Sequence, residues 1–221
     1  MLQRLRLTFG RGEEVKYISH LDMMRLWERT LRRAALPVAY SQGFNPHPRI
    51  SLAAPLAVGV TSEAELADIF LERRVTPYSF LRSASVQLPR GVSLSTVEEV
   101  GLSWPSLQSV VCYGEYRVRV KVDRGRSEVE SAVHALLEAK HIPWEHMRDT
   151  GKRCYDLRPL VEDLRLLEWF GDECVLGMRL RAGSTATGRP EQVAAALGLS
   201  DYPMTIHRTR LILHGDSAVG G

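Results

Sequence analysis

Lysine is nearly missing from this chain. Of its 29 basic residues only Lys16, Lys121, Lys140 and Lys152 are Lys, and the other 25 are Arg. Cysteine is also scarce. Cys112, Cys154 and Cys174 are far apart and never spaced C-x-x-C, which argues against a disulfide framework and against a local zinc or iron–sulfur motif. A metal site drawn from His20, Asp22, His47 and cysteine is not expected, because His20 and Asp22, two apart on a helix, point in different directions. No apolar run is long enough to cross a membrane as a helix. The opening MLQRLRLTF alternates like a strand and has no apolar signal core, so the expected location is the cytoplasm. The phosphate-cradling G-x-x-x-x-G-K-[ST], the dinucleotide G-x-G-x-x-G after a strand, H-E-x-x-H and G-x-S-x-G are all absent. Most common enzyme classes lose their cheapest support, and no cofactor is expected.

What remains is a globular composition: 221 residues, 44% apolar and 25% charged, enough for one or two domains with real cores. Net charge is only +3, so any site for a polyanion must be a local patch. The Arg bias has two readings. It can reflect genomic base composition, or phosphate recognition by a planar fork that Lys cannot imitate.

The most informative stretch is Lys16 to Gly59, KYISHLDMMRLWERTLRRAALPVAYSQGFNPHPRISLAAPLAVG. Ser19 is a candidate N-cap and Asp22 completes a capping-box pattern. A helix is predicted to about Ala35, stopped by Leu36-Pro37. Helical spacing puts Met24, Trp27, Leu31, Ala34 and Ala35 on one face and gathers Arg25, Arg29, Arg32 and Arg33 opposite. That arrangement suits packing on a sheet with guanidinium groups presented outward; an ordinary solvated helix face is the competing reading. His20 reads as a packed, hydrogen-bonded histidine. In the following loop Gly43 permits positive φ, and Pro46 and Pro48 hold the backbone extended around His47. This stiff loop displays Phe44, Asn45, His47 and Arg49, either to position something or merely to connect.

Taken in order, residues 2–10 alternate as a half-buried strand, with Leu5, Leu7 and Phe9 inward and Arg4, Arg6 and Thr8 outward. Strands follow at about 49–54, at 63–73 (Ala67, Ile69 and Leu71 in; Asp68, Phe70 and Glu72 out) and at 92–100, with a short helix opened by Thr76-Pro77. The order is β-α-β-β-α-β, and 103–109 reads as a linker. The second half repeats it: a strand over 115–122, a helix over 127–140, strands near 143–147, 153–159, 163–169 and 173–181, a helix from Arg189-Pro190 to Leu197, and a last strand over 205–213. The expected fold is therefore α+β: two tandem ferredoxin-like units with antiparallel sheets and helices on one face, over 1–107 and 108–214, the second with an extra hairpin, and a disordered tail at 215–221. Residues 1–107 hold 13 basic and 10 acidic side chains, and residues 108–221 hold 16 of each. In the second half Arg117, Arg119 and Lys121, then Arg179 and Arg181, then Arg208 and Arg210, fall on outward strand faces. Such rows repel themselves unless anions bind there, or carboxylates such as Glu162, Asp163, Glu168 and Glu173 neutralise them.

The stretch from Lys16 through Glu65 resembles an uncharacterised radical-SAM-linked protein family of bacteria, and Gly183 to Leu199, with its Arg189-Pro190 helix start, is similar to it as well. The resemblance implies a radical-SAM protein as partner and RNA-related work. The chain itself has no C-x-x-x-C-x-x-C for a radical-SAM cluster. A weaker, fold-level resemblance is to the CRISPR repeat-processing endoribonucleases, which cleave RNA without metal. It implies His47 as general base, Arg49 as charge stabiliser and Tyr40 as an orienting or acid group, although their glycine-rich C-terminal loop is not recognisable here.

Three functions remain in play. A non-catalytic RNA-binding module would hold tRNA or rRNA on the arginine faces and the loop, with Phe44 or Tyr40 available for stacking. A docking module would bind the radical-SAM partner through the loop, with Phe44 and Trp27 or Trp104 at the contact. A metal-independent nuclease would use His47.

Overall fold

The computed structural model describes residues 2–148, 151–183, 185–199 and 202–215. The tail expectation, from residue 216 onward, lies outside the described residues. The chain is mixed α+β with mostly antiparallel strand pairing, and it divides into two compact units, Met1–Val111 and Cys112–Gly221.

The first unit runs β1 (Gln3–Arg11), α1 (His20–Arg33), β2 (Ile50–Leu52), β3 (Thr61–Leu71), α2 (Pro77–Ser85), β4 (Val92–Val100) and a short α3 (Leu107–Val110). Its strands lie in the order β4-β1-β3-β2, each neighbouring pair antiparallel. Ser19 caps α1 as its sequence suggests: its Oγ accepts the Asp22 N–H at 3.1 Å and donates to the Asp22 carboxylate at 2.7 Å. The Ser19 hydroxyl, ahead of the Ser19 N–H and Arg25, holds the Asp22 carboxyl below the usual carboxylate value. The support this carboxylate gives the helix is therefore present above the ordinary carboxylate range and lost as pH falls through the lowered value. Ser19→Ala is expected to cost about 1 kcal/mol, read as a lower urea midpoint at unchanged m-value.

The buried stripe of α1 is Met23, Leu26, Trp27, Thr30 and Leu31. Trp27 and Leu31 fall where helical spacing puts them, but Met24 is only half-buried and Ala35 lies beyond the helix at φ 51°, so the stripe is turned by about one residue and the helix ends two residues earlier than expected. α1 and α2 cover the same sheet face. Trp27, Leu31, Phe80 and Ala84 join Leu5, Leu7, Phe9, Ile69 and Leu71 in one core, with Trp27 edge-on to Phe9 at 5.2 Å between ring centres. His20 is exposed at the first helical position, not packed.

The other face of this sheet differs most from expectation. Arg4, Arg6 and Asp68 are buried, at 3%, 7% and 1% exposure, although strand alternation reads them as facing water. Asp68 takes both guanidinium groups: Arg4 Nε at 2.9 Å and Arg6 Nε at 2.9 Å, with the Arg4 Nη2 contact closer still. The supposed linker supplies the cover. Arg4 also donates to the carbonyls of Trp104 (2.7 Å) and Pro105 (2.8 Å), Arg6 stacks near the Trp104 ring, and Leu107 is fully buried. The segment after β4 is thus part of the first unit.

The second unit runs β5 (Val111–Lys121), α4 (Arg126–Glu138), β6 (Pro143–Arg148), β7 (Gly151–Asp156), β8 (Val161–Phe170), β9 (Glu173–Arg181), α5 (Pro190–Ala196) and β10 (Thr205–Leu213). Its main strands lie in the order β10-β5-β9-β8, while β6 and β7 form a separate antiparallel hairpin. The inward residues are those the alternation picks out: Tyr116, Val118 and Val120 on β5, and Cys174, Leu176, Met178 and Leu180 on β9.

Candidate functional site

The two sets of arginines singled out in the sequence have opposite surroundings. On the second unit's sheet, carboxylates answer most of them. Arg117 pairs with Glu168, Arg119 with Glu173, and Arg179 with Glu115 at 2.7 Å; Arg210 reaches the same Glu115 at 3.3 Å. Arg208 is buried at 2% exposure, with Nη1 3.4 Å from the Tyr116 hydroxyl, so it does not belong to an outward row. Lys121 and Arg181 are exposed and enter no ion pair among the described residues. Glu115, inside the arginine-bearing strand itself, is the neutralising group that pattern reading missed. The β5–β9 register sets it directly opposite Arg179.

On the first unit the balance reverses. Arg25, Arg29, Arg32 and Arg33 all lie on α1 with side chains reaching solvent. Arg25 lies 3.5 Å from Asp22 and Arg33 donates to the Gln87 carbonyl at 2.9 Å, but Arg29, Arg32 and Arg33 have no ion pair among the described residues. Like charges at i,i+4 repel by a few tenths of a kcal/mol per pair, partly offset for Arg32 and Arg33 by the negative end of the helix dipole. The ridge gains from an external anion.

The α1 C-terminus feeds into the loop. Its base is braced on β3: the Ala39 N–H donates to the Phe70 carbonyl (2.8 Å), the Phe70 N–H to the Arg49 carbonyl (3.0 Å), and the Arg49 N–H to the Ala39 carbonyl (2.8 Å). Tyr40 pairs with Pro48, the Ser41 N–H donates to the His47 carbonyl at 2.8 Å, and the His47 N–H donates to Ser41 Oγ at 3.0 Å. Gly43, at φ 131°, turns the tip. The Arg49 guanidinium lies 4.1 Å from the centre of the Phe70 ring, a cation–π contact that fixes it at the loop base while leaving it exposed. Phe44, Asn45 and His47 are exposed, and Tyr40 is 44% exposed. No side chain among the described residues hydrogen-bonds the His47 imidazole.

A cation at the root of the loop escaped the sequence reading. The Glu72 N–H donates to the Pro37 carbonyl at 2.8 Å, which brings the end of β3, and with it exposed Arg73, to the root of the loop. Its neighbour Arg74 is taken by Glu99 at 2.6 Å, and the pairing lowers the Glu99 carboxyl below its ordinary value. The Arg73-Arg74 doublet at a strand end was the available signal. The root of the loop thus carries Arg49 and Arg73, and Arg32 and Arg33 lie at the end of α1 that leads into it. Among the described residues no group of His, Cys, Asp and Glu forms a metal site, and no helix is long and apolar enough to cross a membrane.

In fold, the chain is similar to a crystal structure of a Cbf5-Nop10-Gar1 complex, with TM-score 0.50 and 13% identity over 95% of this chain and 48% of that one. An archaeal box H/ACA sRNP Nop10-Cbf5 complex scores 0.47 at the same identity, over 95% of this chain and 47% of that one. The chain spans about half the length of these chains. No curated protein matches the sequence. The sequence does match one family model over residues 4–190, which takes in the helix, the loop, the buried Arg4–Arg6–Asp68 group and nearly all of the first unit, and the second unit as far as the start of α5. The chain belongs to that family, described as an uncharacterized protein conserved in bacteria, DUF2344.

Proposed function

We propose that this chain is an RNA-binding module without chemistry of its own, made of two ferredoxin-like units, and that it serves a radical-SAM enzyme in tRNA or rRNA modification or maturation. RNA would lie on the cationic end of the first unit, held through phosphates by Arg29, Arg32, Arg33, Arg49 and Arg73. One observation carries this reading: these arginines have no carboxylate partner among the described residues, whereas most of those on the second unit's sheet do. A guanidinium already bound to a carboxylate must break that pair before it can take a phosphate; an unpaired one need not. The radical-SAM partner rests on the family resemblance alone, and the fold likeness bears on architecture rather than on ligand.

The test mixes the full chain with labelled tRNA and rRNA fragments in EDTA, at about 50 mM and about 200 mM salt. Retention that weakens steeply with salt, with the RNA intact, is expected. No retention at the lower salt overturns RNA binding and leaves a protein-docking role for the loop. Cleavage that disappears in His47→Ala overturns the non-catalytic reading.

A further inference from the structure

Among the large hydrophobic side chains of the described residues, Phe44 is the most exposed. Its side chain is completely exposed, at 107%, on a loop that is neither long nor slack. The Tyr40–Pro48 pairing, the Ser41–His47 bonds and the anchoring of Ala39 and Arg49 to Phe70 hold the loop base, and Pro46 and Pro48 restrict the return strand. The ring is therefore presented at low entropic cost. Its surroundings say what it is presented to. Residues 40–49, YSQGFNPHPR, contain no carboxylate, and Arg49 and Arg73 stand at the root of the loop, where Glu72 is the one neighbouring acid in the chain segment 66–74 besides the buried Asp68. An aromatic at the tip of an acid-free loop with arginines at its root suits a polyanion that also offers flat apolar faces. Paired bases offer their faces only to one another and show edges in the grooves, whereas an unpaired base offers a whole face.

We infer that Phe44 is a stacking platform for an unpaired nucleobase, so that the RNA bound by the first unit is single-stranded or looped rather than duplex. The inference rests on the RNA-binding reading above. The flanking Gln42 and Asn45 amides can bond the edges of the stacked base, and the arginines take the phosphates on either side.

The experiment compares a short unstructured RNA with a duplex of the same length, using the full chain and three variants. Because the Phe44 ring is wholly exposed, its replacement leaves the fold intact. Phe44→Ala and Phe44→Leu are each expected to weaken single-strand binding by about 5- to 100-fold and to change duplex binding by less than about twofold; Phe44→Trp is expected to retain it. A base analogue in the single strand should show fluorescence quenching that Phe44→Ala abolishes. Equal losses on both RNAs, no loss in Phe44→Ala, or full affinity in Phe44→Leu would each overturn stacking. Duplex and single strand bound equally, with no response to Phe44, would sink this inference while leaving RNA binding standing. Failure of the unaltered chain to bind either RNA at about 50 mM salt would remove the reading beneath it.

Discussion

Asp68→Asn is expected to destabilise the first unit by about 3–5 kcal/mol, the usual cost of removing one partner from a buried ion pair. Two guanidinium groups at 3% and 7% exposure depend on this one carboxylate. Without it, both are left in a low-dielectric site facing carbonyl dipoles and aromatic rings: the Gly101, Trp104 and Pro105 carbonyls and the Phe70 ring for Arg4, and the Trp104 ring for Arg6. For a unit of this size the loss corresponds to a fall in its unfolding temperature of roughly 10–25 °C. Asn keeps the shape, so the effect reports charge rather than a cavity. The informative companion is the triple replacement Arg4→Met, Arg6→Met, Asp68→Leu. Replacing a whole buried ionic group by apolar residues is often neutral, so this variant should recover most of the stability that Asp68→Asn loses. Urea unfolding of the full chain measures both. A loss below about 1 kcal/mol for Asp68→Asn would mean that water reaches the group.

The joint replacement of Arg29, Arg32 and Arg33 by Ala should weaken RNA binding roughly a hundredfold at about 0.1 M salt and flatten the slope of log K against log salt by about 2, at roughly 0.7 for each phosphate that is no longer neutralised. Ala is the better helix former, so α1 itself survives the change. The matching control replaces Arg117, Arg119 and Arg179 by Ala on the second unit. It removes the same formal charge but only groups already answered by Glu168, Glu173 and Glu115, and it should leave the salt slope unchanged. Equal losses in the two triples would show that overall charge drives binding and would remove the special role of the α1 ridge.

Local features of the fold were legible in the sequence. Ser19 and Asp22 announced the start of α1, Leu36-Pro37 followed its end, and β4, β9 and β10 occupy Val92–Val100, Glu173–Arg181 and Thr205–Leu213 as their patterns suggest. What escaped was set by partners distant in sequence. Alternation reads Arg4, Arg6 and Asp68 as wet, because nothing within a strand records that residues 101–107 will fold back over it. Arg208 reads as outward for the same reason, and its burial beside Tyr116 depends on strand placement. The charge balance of the site was hidden similarly: Glu115 neutralises Arg179 through the β5–β9 register, which no local motif encodes. The stiffness of the loop was visible in its Gly and Pro residues; the surroundings of the His47 imidazole were not, because they depend on everything packed around the loop.

The closing of residues 101–107 over β1 has a consequence for how the chain is made. β1 leaves the ribosome before the other strands of its unit, yet its two neighbours are β3 and β4, and the carbonyls that receive Arg4 come later still, at Trp104 and Pro105. At a synthesis rate of about 5–20 residues per second, β1 waits roughly 5–20 s before its partners exist. During that interval Leu5, Leu7 and Phe9 form an unpaired apolar strand, the kind of segment that seeds aggregation. Arg4 and Arg6, interleaved with them, put two charges on that strand while it is alone, and in the completed unit the same two residues are buried against Asp68.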